Sequence, residues 1–361
     1  MAGPVTSGRS IDLAALRRRV DAALAEFLTD RQDRATATGH PHVAAAVLRE
    51  FLGAGGKRVR PLLCMVGWHA AGGHGSRAPA ERVAAALEMF HAFALIHDDI
   101  MDRSSTRRGV ATVHTAMTAR FARHHPAPTA EHLGRCIAML VGDLALSWSY
   151  ELVHTAGLSA DQLGRVLPTM HTMHTEVMHG QYLDLISTAR QDCDAPDPFT
   201  VIHYKTAAYT FERPLHIGAA LAGAGQNILD ACTAWALPVG EAFQLRDDLL
   251  GVFGPEQSTG KSVLDDLREG KHTVLLCLAL GRADRHGGDI LRTLVGRPDL
   301  TEEEAARIRE VLVATGARQA VEEMICDRSN AAREALDHAP LPARVREALH
   351  AIARAATDRT T

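Results

Sequence analysis

Long stretches of Ala- and Leu-rich sequence with an apolar repeat near 3.6 residues, several of them longer than 20 residues, most narrow what this chain can fold into. Short runs that alternate apolar with polar residues, the mark of a half-buried strand, are scarce. The pattern predicts helices over 11–28, 42–52, 61–70, 80–101, 129–155, 160–185, 198–222, 228–253, 271–280, 302–314, 317–336 and 343–356. Glycine and proline mark the breaks between them, at 53–56, 72–75, 126–128, 196–198, 251–260, 287–288 and 340–342. None of these is long enough to link two domains. The expectation is an all-α fold, a single-domain bundle of long helices over 1–361 with flexible ends at 1–10 and 357–361, built around a deep central cavity.

Composition removes several classes of function. With 39 basic against 43 acidic residues the formal net charge is -4, so no global field draws the chain to nucleic acid or an anionic membrane, and any anion site must be local. The six cysteines (Cys64, Cys136, Cys193, Cys232, Cys277, Cys326) include no CxxC pair, which argues against a zinc site or a disulfide framework. Uninterrupted apolar runs fall short of the roughly 20 residues that span a bilayer. The first ten residues lack a basic-then-apolar leader. A cytoplasmic location without stable membrane insertion is the expectation.

Chemistry is concentrated in two acidic clusters. Asp98-Asp99-Ile100-Met101-Asp102 closes a helix that is otherwise apolar from Val83 to Ile96, and Asp98 and Asp102 share one face. Carboxylates at a helix C-terminus oppose the helix dipole and repel one another, penalties that a bound cation removes. A merely solvated acidic end is therefore the weaker interpretation. Asp247-Asp248 closes a second apolar helical stretch. Oxygen-only ligands favour Mg²⁺, which takes one or two carboxylates and leaves the rest of its shell to water and substrate phosphates. Basic residues supply the complement. Gly55-Gly56-Lys57-Arg58-Val59-Arg60-Pro61 puts three cations on a turn at a helix start, Arg107-Arg108-Gly109 follows the first acidic cluster, and Lys205, Lys261 and Lys271 lie in or beside further turns. Singly, each is an ordinary surface charge. Together they describe a site for two polyanions, one metal-bound and one held by Arg and Lys alone.

With these motifs in order, the chain resembles the trans-isoprenyl diphosphate synthases, the polyprenyl synthetase family, and is most like geranylgeranyl diphosphate synthases. The residues that carry the resemblance are GGKRVRP at Gly55, DDIMDRSSTRRG at Asp98, GQYLD at Gly180, KTAAYT at Lys205, QLRDD at Gln244 and TGK at Thr259. The resemblance implies an isoprenoid-synthase fold, a transferase activity and, commonly, a homodimer. It implies that Asp98, Asp102 and Asp247, with Asp99 and Asp248 in support, bind Mg²⁺, three ions when diphosphate is present. It further implies that Arg107, Lys205, Lys261 and Lys271 contact an allylic diphosphate, that Lys57, Arg58, Arg60, His91 and Arg108 hold isopentenyl diphosphate, and that Thr206 and Gln244 sit near the reacting carbon. Gly251 stands where the family's second motif often has a third aspartate, so that ligand is missing here.

The reaction implied is head-to-tail condensation of isopentenyl diphosphate with an allylic diphosphate. Phe90, Ala94, Asp98 and Asp102 follow i,i+4 steps along one ridge, which puts Ala94 roughly 6 Å and Phe90 roughly 12 Å below Asp98. Small Ala94 lets a prenyl chain pass. Phe93, five residues before the motif, is the position whose bulk the family uses as a stop, which favours a geranylgeranyl (C20) over a farnesyl (C15) product. A class I terpene cyclase shares the acidic helix end and Mg²⁺, but it leaves the Lys57/Arg60/Arg108 set without a second substrate. A di-iron bundle is suggested by Glu-x-x-His at Glu88/His91, Glu176/His179 and Glu347/His350. It does not account for the basic turns. An inactive homologous subunit is at odds with intact Asp98, Asp102, Arg107 and Lys205.

Overall fold

The computed structural model describes residues 10–40, 43–189, 197–254 and 264–357. They form sixteen α-helices, one π-helix and a two-residue-per-strand hairpin. In chain order the helices are α1 (Leu13–Thr38), α2 (Val43–Gly53), α3 (Val59–Ala70) and α4 (Ala78–Met101). The hairpin β1 (Thr106–Arg107) and β2 (Val110–Ala111) precedes α5 (Val113–Phe121), α6 (Ala127–His154), α7 (Ala160–Ala189) and α8 (Pro198–Ile202). The π-helix (His203–Glu212) runs directly into α9 (Arg213–Leu221), followed by α10 (Gln226–Phe253), α11 (Asp265–Glu269), α12 (Val274–Arg282), α13 (Arg285–Leu294), α14 (Glu302–Ala314), α15 (Ala317–Asp337) and α16 (Ala343–Thr357). Of the ends expected at 1–10 and 357–361, residues 1–9 and 358–361 lie outside the described residues, as does Lys261 with its TGK motif.

Several elements depart from the sequence expectation, among them α5 and α11, which fall where no helix is predicted. The helix predicted to end at Leu28 continues to Thr38, where Gly39 in the left-handed region (φ 69°) stops it. Its last polar turns are held by ion pairs, Arg31 to Glu151 at 2.6 Å and Arg34 to Asp30 at 3.0 Å. The double glycine at 287–288, read as a break, instead lies inside α13, where the Asp284 side chain caps the helix by accepting from the Gly287 amide at 2.7 Å. The predicted single helix over 198–222 is an α–π–α succession.

Apolar side chains gather in three clusters. The first joins α1 to α7, with Phe90, Leu87, Met170 and Met173 fully buried. The second joins the C-terminal half of α10 to α11–α15 through Leu245, Leu249, Leu291 and Ile308. The third packs α3, α9 and the first half of α10 against α15 and α16, centred on Trp235 and Phe211. The segment from α8 through α9 belongs to all three, since Ile202 lies in the second cluster, Tyr209 in the first and Phe211 in the third. Where the clusters meet, a cavity of about 750 Å³ opens. Among the described residues one helix, α6, is long and apolar enough to cross a membrane. It lies along α4 and buries Ala138, Val141, Ala145 and Leu152 there.

Candidate active site

The last turn of α4 carries Asp98 and Asp99, and Asp102 caps it. The hairpin then folds back so that Arg107 donates from Nε to Asp99 Oδ1 at 2.8 Å and from a terminal nitrogen to Asp98 Oδ2 at 3.2 Å. Asp99 is 1% exposed and turned to this arginine, so its carboxylate positions Arg107 and does not line the cavity. Across from α4, the π-helix presents Lys205, whose Nζ donates to Asp98 Oδ1 at 3.3 Å and to Asp184 Oδ2 at 2.6 Å. Burial would raise the Asp98 carboxyl, but Lys205, Arg107 and Lys271 outweigh it and hold the group down at about 2. Asp102 differs in kind: burial and the neighbouring Asp98 charge push it up to about 6. Lys271 lies 3.9 Å from Asp102, 3.8 Å from Asp266 and 3.0 Å from Glu269, and these carboxylates keep its ammonium charged against the cost of burial.

On α10, Gln244, Asp247 and Asp248 occupy successive turns facing the same cavity. Thr206 Oγ1 donates to Gln244 Oε1 at 2.6 Å, and Gln244 Nε2 donates to Asp248 Oδ1 at 2.8 Å, so a chain of hydrogen bonds links the π-helix to the second acidic cluster. Burial, only partly offset by that amide, pushes Asp248 up to about 7.

The opposite wall is cationic. Gly55 (φ 97°) and Gly56 (φ 147°) turn the chain into α3, and Arg58 and Arg108 both adopt left-handed backbone, at φ 53° and 54°. Arg108 donates to the Gly55 carbonyl, which ties the hairpin to this turn. Arg60 lies over the Tyr209 ring, 4.2 Å from its centroid, and donates to Thr210 at 2.6 Å. Exposed Lys57 lines the mouth. His91 is surrounded by arginines: burial first, then Arg60, Arg108, Arg107 and Arg58, hold its imidazole far below the usual histidine range, so it is neutral. Its Nδ1 is 3.3 Å from the Tyr209 hydroxyl, which burial keeps protonated up to about 12. Arg58 stands apart from the others. Although it reaches the cavity wall, its guanidinium is engaged by Asp21 at 2.8 Å, Glu88 at 2.8 Å and the Leu52 carbonyl at 2.6 Å. Its geometry fits an anchor for the turn better than the substrate contact expected from the sequence.

One cavity therefore brings together Lys57, Arg58, Arg60, His91, Ala94, Asp98, Arg107, Arg108, Lys205, Thr206, Gln244, Asp247, Asp248 and Lys271 from the expected set. Asp102 adjoins it through Lys271. Phe90 and Phe93 are buried behind the wall, at 0% and 9% exposure, whereas Ala94, Leu95 and Val177 line it. Asp184, Gln181, Tyr209, Thr210 and Asp266, none of them in the expected set, also line the cavity. The first two stand at fixed places in the quoted GQYLD motif, and Asp266 is an acidic residue five places before Lys271. Glu88 and Glu176, considered as iron ligands, are instead spent on Arg58 and on Arg213, the latter at 2.7 Å.

Among the described residues no three His, Cys, Asp or Glu side chains converge into a metal cage. Asp98, Asp102 and Asp247 nonetheless suit a hard divalent cation whose shell substrate oxygens complete: burial first and the Asp98 charge second raise the Asp102 carboxyl, and a cation beside it would offset both.

Carboxylates on one wall, guanidinium and ammonium groups on the other and an apolar channel between Ala94, Leu95, Val177 and Phe243 define an enzyme that handles phosphorylated, greasy substrates. The polyprenyl synthetase family model matches residues 41–312. The chain is 33% identical over 290 residues to the geranylfarnesyl diphosphate synthase of Aeropyrum pernix, covering 80% of this chain and 85% of that one. It is 31% identical over 261 residues to the geranylgeranyl diphosphate synthase of Saccharolobus solfataricus, covering 72% and 73%. Its fold superposes with a TM-score of 0.91 and 41% identity on the geranylgeranyl pyrophosphate synthase of Corynebacterium glutamicum, solved in complex with isoprenyl diphosphate and magnesium, over 97% of this chain and all of that one. The chain belongs to the polyprenyl synthetase family and is a prenyltransferase.

Proposed function

We propose that the protein condenses isopentenyl diphosphate head-to-tail with an allylic diphosphate and that its main product is geranylgeranyl diphosphate. The observation that carries this is that Asp98 and Asp247 line one cavity together with Lys57, Arg60 and Arg108, so the acidic pair and a separate cation set serve two diphosphates at once. Relatives that make geranylgeranyl diphosphate, and one named for a product one prenyl unit longer, support the size class.

Asp98, Asp102 and Asp247 would hold Mg²⁺, three ions in the loaded state, with Asp248 in support. Bound there, Mg²⁺ neutralises the allylic diphosphate and makes it a better leaving group. Lys205, Arg107 and Lys271 add fixed positive charge on the same side, which strengthens its hold as the carbon–oxygen bond breaks and charge builds on the departing oxygens. Lys57, Arg60 and Arg108 fix the second diphosphate. If Tyr209 donates to His91 Nδ1, the Nε2–H of the neutral ring is left as a donor for that group. The Thr206 hydroxyl and Gln244, held to each other, border the reacting carbons. The allylic carbon that loses diphosphate forms a bond to the terminal alkene carbon of isopentenyl diphosphate, and the proton then lost passes to the released diphosphate. No protein nucleophile is required.

Two further features belong to this proposal. Exposed Met139, Leu140 and Leu144 on α6 and Met178, Tyr182 and Leu185 on α7 give a face that a second copy would cover, so the enzyme is a homodimer. Both substrates carry a water-borne diphosphate, consistent with the cytoplasm.

The test is incubation of the purified chain with Mg²⁺, labelled isopentenyl diphosphate and each allylic primer, followed by chromatography of the products. Elongation that needs both substrates and stops on chelation of Mg²⁺ supports the proposal. Turnover of an allylic diphosphate alone would identify a cyclase instead.

A further inference from the structure

The segment that presents Lys205, Thr206, Tyr209 and Thr210 is a π-helix along its full ten residues. Such geometry is rare, occurs mostly as single turns, and concentrates at functional sites. Its i→i+5 bonds enclose more residues per turn than an α-helix, so its cylinder is wider and its neighbours need room to approach. They approach at glycines. On α7, a Cβ added at Gly180 would lie 2.6 Å from the Lys205 amide nitrogen, 2.9 Å from Lys205 Cα and 3.0 Å from the Tyr204 carbonyl carbon. On α10, a Cβ added at Gly240 would run into Ala207 Cα and lie 2.7 Å from Ala207 Cβ. The contacts at Gly180 and the closest one at Gly240 are with main-chain atoms, which no change of rotamer relieves.

The two contacts fall on either side of Thr206 in the chain. Each glycine also precedes, by one helical turn, the residue that meets the π-helix side chains. Gly180 is followed by Asp184, which accepts from Lys205 at 2.6 Å, and Gly240 by Gln244, which accepts from Thr206 at 2.6 Å. We propose that Gly180 and Gly240 are positioning residues. By letting α7 and α10 pack directly on the π-helix main chain, they bring Lys205 to Asp184 and Asp98 and Thr206 to Gln244, and so fix where the allylic diphosphate meets its cation. This rests on the proposed prenyl transfer; neither glycine touches substrate.

The test uses full-length Gly180→Ala and Gly240→Ala, with each substrate varied separately, thermal melting, and calorimetric binding of inorganic diphosphate in the presence of Mg²⁺. A displacement of about 1 Å at the reacting groups lowers kcat by roughly 10- to 100-fold. The KM for isopentenyl diphosphate changes less than kcat, because Lys57 and Arg108 stand on other elements and Arg60 meets the π-helix only at Tyr209 and Thr210, beyond the two glycine contacts. Gly180→Ala weakens inorganic diphosphate binding severalfold, a readout independent of turnover. In a Lys205→Ala background Gly180→Ala adds less than about twofold to the kcat loss, as does Gly240→Ala in a Thr206→Ala background. Ala207→Gly, which removes the 2.7 Å contact with Ala207 Cβ and leaves the closer one with Cα, recovers only part of the kcat of Gly240→Ala. Loss of melting temperature with kcat and binding unchanged, or kinetic losses that multiply in the double variants, would overturn the proposal. Should an alanine variant fail to fold, Ala207→Ser, which enlarges the Gly240 contact by one oxygen, carries the same expectation. A wild-type chain that binds diphosphate in a Gly180-dependent way without elongating a primer would refute the proposed reaction and leave the positioning role standing.

Discussion

The rings of Phe90 on α4 and His174 on α7 lie face to face, with centroids 3.8 Å apart and planes 5° from parallel. Tyr150 on α6 closes the stack through a 2.7 Å hydrogen bond between its hydroxyl and His174 Nδ1, and Phe93 packs against Phe90 at 5.3 Å. Three helices are thus joined one turn below Ala94, the small residue that lines the channel. In the proposed reaction the stack would be the floor on which the growing prenyl chain ends. Phe90→Leu, Phe93→Ala and His174→Ala should each shift the product to a longer chain, read by chromatography of the labelled products. The milder Phe90→Leu avoids the roughly 3–5 kcal/mol that a buried Phe→Ala change costs. An unchanged profile in all three would place the floor elsewhere.

His174 also predicts a pH dependence of stability. Burial, with a smaller effect of His171, holds its imidazole down at about 3 against an ordinary 6.5. The folded state therefore carries it neutral, while the unfolded chain takes up a proton below pH 6.5. Its contribution to stability is complete above that value and is lost as pH falls toward 3, with a slope approaching 1.4 kcal/mol per pH unit for one proton. His174→Gln removes this titration. Urea unfolding between neutral and mildly acid pH should show a shallower decline for the variant than for wild type, and parallel curves would remove His174 from the acid response.

Arg58 and Glu88 form a buried pair, 7% and 3% exposed, beneath the Gly55–Gly56 turn. Breaking such a pair strands a charge and costs roughly 3–5 kcal/mol, whereas replacing both partners by apolar groups removes that penalty. Arg58→Met and Glu88→Leu should each destabilise the protein and raise the KM for isopentenyl diphosphate, because the turn that carries Lys57 and Arg60 loses its tether. The double variant should be more stable than either single one. Purely additive losses in denaturant melts would show that the two side chains act independently.

The acidic clusters, the basic turns and most helices were legible in the sequence because an apolar repeat and a carboxylate at a helix end are local signals. The π-helix was not. The stretch His203–Glu212 has the same composition in either geometry, and the choice of i→i+5 bonding shows only once α7 and α10 press on it. Helix α5 leaves no mark in the sequence because its nine residues bury only Val113 and Met117, too few for a periodic pattern. Nothing local distinguishes an arginine that meets substrate from one that meets Glu88, thirty residues away, so in the sequence Arg58 looks like its neighbours. The ridge Phe90–Ala94–Asp98 follows from the i,i+4 spacing within one helix, but the lining by Val177 and the stacking partner His174 come from α7, and packing between distant segments leaves no periodic trace.

Gly251 has a steric reason that bears on the missing third aspartate. It faces Asp266, and a Cβ added at Gly251 would collide with Asp266 Oδ2. Asp266 lines the cavity from α11 and lies 3.8 Å from Lys271, so a carboxylate from a different segment already fills the place beside α10. Installing the family's aspartate by Gly251→Asp would then put two like charges into one volume and turn the Asp266 carboxylate away from Lys271. The expected result is a loss of activity and a higher Mg²⁺ requirement, not a gain. Gly251→Ala tests the steric half alone: it should lower kcat in the same direction, and Asp266→Ala combined with it should relieve the loss of melting temperature while leaving activity low. If Gly251→Asp instead raises kcat at limiting Mg²⁺, Asp266 is no substitute and the site simply lacks a ligand.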